Sequence, residues 1–120
     1  MTASPRPSAP TAPSDATFQI EDEGRLVALA QVHPTGTAGV VHSALSVAGG
    51  HLPAGTRTRL VDAVLDCPEV RGAERLLATL PVSDTEMLDR LRQRCAVVET
   101  RAAGATKLVE ARIPSPRRPL

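Results

Sequence analysis

The stretch that most constrains the fold is a glycine-bearing loop that leads directly into an amphipathic helix. The loop covers residues 49–55, and the predicted helix runs from Thr56 to Cys67. Apolar residues recur at i, i+1, i+4 and i+5 and charged residues fill the other side: Leu60, Val61, Val64 and Leu65 against Arg57, Arg59, Asp62 and Asp66. This pattern predicts one buried and one solvated face, and Pro68 is expected to end the helix.

The junction between loop and helix can be interpreted in two ways. A helix entered through Gly55 presents free backbone N–H groups at the positive end of its dipole, which can hold phosphate oxygens. The same residues also suit an ordinary turn, because single glycines before helices are common. Residue chemistry alone leaves both interpretations open.

Composition limits the size of the core and the choice of partner. A chain of 120 residues with one Phe and no Trp or Tyr must build one small core from aliphatic side chains. Lys and Arg number 14 and Asp and Glu 13, a net charge of +1, so the whole molecule offers no strong field to nucleic acid or an anionic membrane. Any partner must therefore be recognised locally.

The cysteines and histidines do not form a metal-ligand pattern. Cys67 and Cys95 have no CxxC spacing and are expected to be buried thiols of a cytoplasmic protein. Histidines 33, 42 and 51 stand nine residues apart, which fits neither a metal site nor a single helix face, so surface or loop positions are expected. No apolar run approaches the roughly 20 residues of a membrane span. Heavy use of Ala, Arg, Val, Gly and Pro resembles proteins of GC-rich bacterial genomes.

The pattern of apolar residues predicts one α+β domain between two tails. Residues 1–16 form a Pro/Ser/Thr-rich tail expected to be disordered, and 114–120 a basic Pro-rich tail. Residues 37–47 fit a helix or a strand by periodicity. The other predicted strands are Thr17–Glu21, Arg25–Val32, Glu74–Val82, Val97–Arg101 and Thr106–Ile113. A second helix is predicted to begin at Ser83, which forms a capping box with Glu86, and to bury Met87, Leu88, Leu91 and Cys95.

This order of elements resembles the later two thirds of the GNAT N-acetyltransferase fold. Gly24-Arg25-Leu26-Val27-Ala28-Leu29-Ala30 is similar to the family's strand that begins with a glycine turn, and Gly55 to Val61 resembles the end of its pyrophosphate loop and the following helix. Leu80 to Leu88 looks like the family's strand-to-helix segment, with Asp84 in the place of an Asn. The resemblance covers about residues 17–113.

The resemblance implies a fold and a ligand. It implies a single small α+β domain, a mainly antiparallel sheet with two helices, in which residues 37–47 form the strand that pairs with the pantetheine of an acyl-coenzyme A. Acetyl-CoA or another acyl-CoA is the implied ligand. The implied binding residues are Val47, Gly55, Thr56, Arg57 and Asp84.

Three departures from the family pattern bear on catalysis. Leu52 stands where the family's loop has Gln or Arg, and Arg57 stands where it has a small residue. The family often uses a tyrosine near the position of Cys95 as general acid, and this chain contains no tyrosine. The family's first strand and two N-terminal helices have no counterpart, which predicts an uncovered edge or face that a second copy would cover in a homodimer.

Three functions follow from these features. The first is a GNAT-like domain that has lost catalysis and acts as a ligand-binding or protein-interaction module. The second keeps acyl transfer to an amine, with Glu21, Glu23 or His42 as the base and no other catalytic residue assigned. The third is a small interaction protein unrelated to acyl groups.

Overall fold

Six strands and three helices follow one another along residues 15–49 and 52–114, the part of the chain that the computed structural model describes. The strands are β1 (Ala16–Asp22), β2 (Arg25–Pro34), β3 (Val40–Val47), β4 (Arg75–Pro81), β5 (Ala96–Ala103) and β6 (Thr106–Arg112). The helices are α1 (Thr56–Asp66), α2 (Pro68–Arg71) and α3 (Thr85–Arg94). Nearly all of the two predicted tails lies outside the described residues.

The strands form one sheet in the order β1-β2-β3-β4-β6-β5. All neighbours are antiparallel except β3 and β4, which run parallel and are joined through α1 and α2. The predicted hairpin at Glu23 and Gly24 is present, with φ of 53° and 78°, the positive values that a tight β-hairpin turn requires. The predicted α+β class with a mainly antiparallel sheet is confirmed.

The ambiguous stretch, residues 37–47, contains a strand and no helix. β3 begins at Val40 and pairs with β2 along its length, from Ala28 opposite Val47 to Pro34 opposite Val41. Its alternating burial explains the apolar spacing, because Ser43 and Leu45 are buried while Ser46 between Leu45 and Val47 is exposed. The three-strand meander predicted before the glycine loop is therefore confirmed.

Three sequence predictions are wrong in detail. The strand predicted to break after Val32 continues through His33 and Pro34, because both pair with β3. Pro68 ends α1 but also opens α2, since a proline at the first helical position loses no hydrogen bond; the described chain thus has three helices, not two. The cap of α3 is Asp84 rather than Ser83, because the Asp84 carboxylate accepts the Met87 N–H.

The core lies between one face of the sheet and the helices. Strand residues that share this helix face by cross-strand register, such as Ala30, Leu76 and Val109, pack against the buried residues of α1 and α3. The largest fully buried apolar side chains are Leu60, Leu76, Leu80, Met87 and Leu91. Each contributes roughly 1.5–3 kcal/mol on burial. The core is mainly aliphatic as the composition predicted, with Met87, Cys67 and Cys95 added to it.

The opposite face of the sheet, called the open face below, carries no helix of the described residues. By the same register it presents Leu29 on β2, Ala44 on β3, Leu77 on β4 and Leu108 on β6, all half-buried. Ion pairs flank this apolar row, Arg75 with Glu110 and Arg101 with Glu99. The row runs diagonally across the strands, since Leu77 stands opposite His42 and Ala44 opposite Thr79, on a face that no helix of the described residues covers.

Candidate functional site

The parallel pair of strands separates before either strand ends. Pairing between β3 and β4 stops at Ala44 opposite Thr79, although β3 continues to Val47 and β4 to Pro81. We call the gap between residues 45–47 and 80–81 the notch. Along it β3 is paired with β2 only, so its other edge is free of strand partners among the described residues. A free strand edge can accept the amides of an extended ligand.

The N-terminus of α1 follows the end of β3 at this notch. Gly55 is its N-cap with φ of 82°, and a Cβ there would meet nothing within 4 Å, so the left-handed backbone rather than crowding requires glycine. The Thr56 N–H is already bonded to the Pro53 carbonyl at 3.2 Å, and its buried hydroxyl donates to the same oxygen at 2.7 Å. The N–H groups of Arg57 and Thr58 have no acceptor among the described residues.

Arg57 and Asp84 join the first turns of α1 and α3. The Arg57 Nε–H donates to Asp84 Oδ2 at 2.8 Å, while Asp84 Oδ1 accepts the Met87 N–H at 3.0 Å. The Asp84 side chain is 4% exposed and that of Arg57 31%. Two residues that the sequence assigned to ligand binding are thus bonded to each other, and the Arg57 side chain is drawn towards α3 instead of lying over the loop.

A polar row crosses the open face close to the notch. His33 and His42 are opposite each other on β2 and β3, with ring centroids 6.4 Å apart. His42 Nε2 lies 3.0 Å from the hydroxyl oxygen of Thr79, the β4 residue in the last pair before the strands separate. Asp15 lies 3.4 Å from His33 Nδ1. Burial, and then the neighbouring His33, lower the pKa of His42, which favours the neutral ring.

The two histidines therefore lie in strands rather than loops, at partly exposed positions of the open face that agree with the expected surface placement. The pair nearest the turn of this hairpin is Pro34 opposite Val41, so the next pair is His33 opposite His42, and this pairing explains their separation of nine. His51 lies outside the described residues. The contact between Arg57 and Asp84 spans 27 residues and two helices, and no sequence pattern announced it.

The remaining candidate residues are dispersed. Glu21 is exposed near the end of β1 and Glu23 in the following turn, without a bond to the histidine row. Cys67 and Cys95 are buried free thiols as predicted, and burial raises the pKa of Cys95, so its thiol stays protonated. Cys95 lines a cavity of about 300 Å³ at the opposite ends of α1 and α3, away from the notch.

Neither a metal site nor a spanning helix occurs in residues 15–49 and 52–114. These residues bring together no group of three or more His, Cys, Asp or Glu side chains able to hold a metal ion. No helix among them is long and apolar enough to cross a membrane.

Comparison with known proteins identifies the fold. No protein-family model and no curated protein sequence matches the chain. A GNAT-family acetyltransferase from Streptococcus pneumoniae superposes with a TM-score of 0.63 at 9% identity, covering 87% of this chain and 70% of that one. A proposed acetyltransferase from Salmonella typhimurium, solved with its cofactor acetyl-CoA, gives 0.63 at 13% identity, covering 87% and 66%. Diaminobutyrate acetyltransferase from Paenibacillus lautus, solved with its substrate and coenzyme A, gives 0.60 at 13%, covering 82% and 69%.

These similarities show that the domain has a GNAT fold. The predicted resemblance is confirmed at the level of architecture, since the sheet order and the helices match structures of that fold. The chain spans about two thirds of the length of the structures it matches. At identities of 9–13% the similarity shows the fold alone, so any activity must be argued from the residues of this chain.

Proposed function

We propose that the domain is a catalytically degenerate GNAT-like module that binds an acyl-CoA or a similar ligand at the notch. The observation that carries the proposal is the free edge of β3 beside the N-terminus of α1, in a fold whose solved examples include an acetyl-CoA complex. The edge would pair with the amides of an extended pantetheine arm, and the N–H groups of Arg57 and Thr58 would face its phosphates. The chain contains no tyrosine to act as the acid that the family often uses.

A thermal-shift titration of the full chain with acetyl-CoA tests this binding. A ligand that binds only the folded state at a hundred times its Kd adds roughly 2.7 kcal/mol, so the Tm of the wild type should rise by several degrees. Arg57→Glu should abolish the rise, because it removes the guanidinium that neutralises Asp84 and leaves two carboxylates beside the ligand's phosphates. Arg59→Glu, the same charge reversal on the exposed side of α1, should retain it.

Two results would contradict the binding proposal. The first is an unchanged Tm of the wild type at millimolar acetyl-CoA. The second is an equal loss of the shift in Arg57→Glu and Arg59→Glu, which would assign the effect to net charge rather than to the notch. Either result would leave the protein-interaction module as the function of the fold.

Acyl transfer is the second candidate, and His42 is the observation in its favour. Its neutral ring can take the proton of an amine that attacks the thioester carbonyl while the coenzyme A thiolate leaves. Of the three candidate bases, only His42 contacts the strand pair that opens into the notch. Release of free thiol from acetyl-CoA with a panel of amines should fall roughly a hundredfold or more in His42→Gln and much less in His33→Gln. Absence of release by the wild type would exclude this candidate.

We also propose that a second copy of the chain covers the open face. The face is self-complementary in charge, because the apolar row is bordered by charges of both signs. These are the ion pairs of Arg75 with Glu110 and of Arg101 with Glu99. Sheet-on-sheet packing of two such faces would bury the row formed by Leu29, Ala44, Leu77 and Leu108.

A cytoplasmic location agrees with the two free cysteines and with an acyl-CoA ligand.

A further inference from the structure

Asp84 places a negative charge of the chain itself beside the notch. Its carboxylate lies between the first turns of two helices, and its side chain is 4% exposed. One oxygen holds the α3 N–H of Met87 and the other holds the Arg57 guanidinium. The positive groups at this end of the sheet are therefore partly satisfied by a residue of the chain itself.

The charge balance of this pair disfavours a diphosphate. The charges of Arg57 and Asp84 sum to zero, so a diphosphate beside them would be attracted by the guanidinium and repelled by the carboxylate. The guanidinium is also restrained, because its Nε–H is committed to Oδ2 at 2.8 Å. Its terminal N–H groups remain free for a ligand, but only in the orientation that the charge-assisted hydrogen bond to Asp84 sets.

We propose that Asp84 is a specificity-determining residue that suppresses the affinity of the notch for diphosphate-bearing ligands by holding Arg57. This inference rests on the ligand site of the proposed function and specifies its charge preference. It implies that the wild type relies on the neutral, amide-bearing part of a ligand along β3 and gains little from its diphosphate. It also implies that a neutral residue at position 84 converts Arg57 into a free anion ligand.

The two bonds of Asp84 can be separated by substitution. In Asp84→Asn the Oδ1 atom still accepts the Met87 N–H, so the cap of α3 is retained. The amide NH₂ replaces Oδ2 and cannot accept from Arg57, so the guanidinium is released. Asp84→Ser provides a second neutral cap of different shape.

The experiment measures binding of inorganic pyrophosphate, ADP and coenzyme A by calorimetry at low ionic strength. Asp84→Asn, and Asp84→Ser should the first variant fold poorly, are expected to bind pyrophosphate at least tenfold more tightly than the wild type. The gain should disappear in the double variant Asp84→Asn with Arg57→Gln and should shrink as salt is added. The Tm of each variant without ligand verifies folding.

Two results would overturn the inference. One is equal pyrophosphate affinity in the wild type and in the neutral variants, and the other is a gain that persists in the double variant. A wild type that binds no acetyl-CoA, beside an Asp84→Asn variant that gains pyrophosphate binding through Arg57, would refute the proposed function and leave this inference standing. Strong binding of acetyl-CoA by the wild type, with no gain in pyrophosphate affinity in Asp84→Asn, would support the proposed function and refute this inference.

Discussion

At the scale of single residues, two buried hydroxyls, those of Ser43 and Thr56, differ in whether they are hydrogen-bonded. Ser43 on β3 is fully buried and its Oγ has no hydrogen-bond partner among the described residues, while the buried Thr56 donates to the Pro53 carbonyl at 2.7 Å. A buried polar group without a partner costs free energy, whereas a partnered one contributes about 1 kcal/mol. Ser43 therefore weakens the fold and Thr56 supports it.

We expect Ser43→Ala to raise the free energy of unfolding by about 1 kcal/mol, because it removes the unpaired hydroxyl. Thr56→Val, which keeps the shape and removes the hydrogen bond, should lower it by about 1 kcal/mol. Urea unfolding of both variants measures the pair. A loss of stability in Ser43→Ala equal to that in Thr56→Val would mean that the Ser43 hydroxyl has a partner in solution.

At the scale of elements, α1 and α3 are joined by a cluster of charges on their solvated sides. Asp62 on α1 accepts from Arg90 at 2.8 and 3.0 Å and from Arg94 at 3.1 Å, and Arg94 also donates to Asp66 at 2.7 Å. The hydrogen bond from Arg90, opposed by partial burial and reinforced by Arg94, lowers the pKa of Asp62. The charged faces that the helical periodicity assigned to solvent thus also connect the two helices.

Asp62→Asn should lower the free energy of unfolding by about 1 kcal/mol at pH 7, because the side chain is partly exposed and the ion pairs are screened. A carboxyl whose pKa is lowered in the folded state stabilises that state above its unfolded pKa, here 3.8, and loses the contribution as the pH falls below it. The difference between wild type and variant should therefore shrink as the pH falls below 3.8 and vanish only below the lowered pKa of the folded state. Asp89→Asn, whose carboxylate is 4.0 Å from Arg92, should differ from the wild type by less than about 0.5 kcal/mol. A difference that is independent of pH would refute the electrostatic account.

At the scale of the whole molecule, the open face is the surface through which we expect the domain to associate. The helices and the core occupy one side of a six-stranded sheet, and the other side presents half-buried aliphatic residues on its four central strands. Such a one-sided arrangement leaves apolar area in water unless another surface covers it.

We expect sedimentation to report a dimer of the full chain. Leu77→Lys should shift the equilibrium to the monomer, because it places a charge in the middle of the apolar row. Leu26→Lys, at an exposed position near the β1–β2 turn, should leave the dimer intact. A monomer at all accessible concentrations, or equal dissociation by both variants, would contradict the face-to-face arrangement.

The sequence by itself determined the type and approximate bounds of most elements, because alternation and helical periodicity are local properties of the chain. It also determined the identity of the core, the buried cysteines and the GNAT-like order of strands and helices. Periodicity did not distinguish strand from helix at residues 37–47, and it placed the cap of α3 one residue early, since Ser83 and Asp84 are both good caps.

Only the tertiary structure decided the character of the candidate site. Whether β3 and β4 separate, which partner Arg57 binds and whether His33 meets His42 all depend on the register between strands and the placement of helices distant in sequence. The contact between Arg57 and Asp84 joins the N-terminal ends of two helices that pack on the same face of the sheet. Such contacts arise from packing of the whole core, and the local sequence pattern around each residue does not predict them.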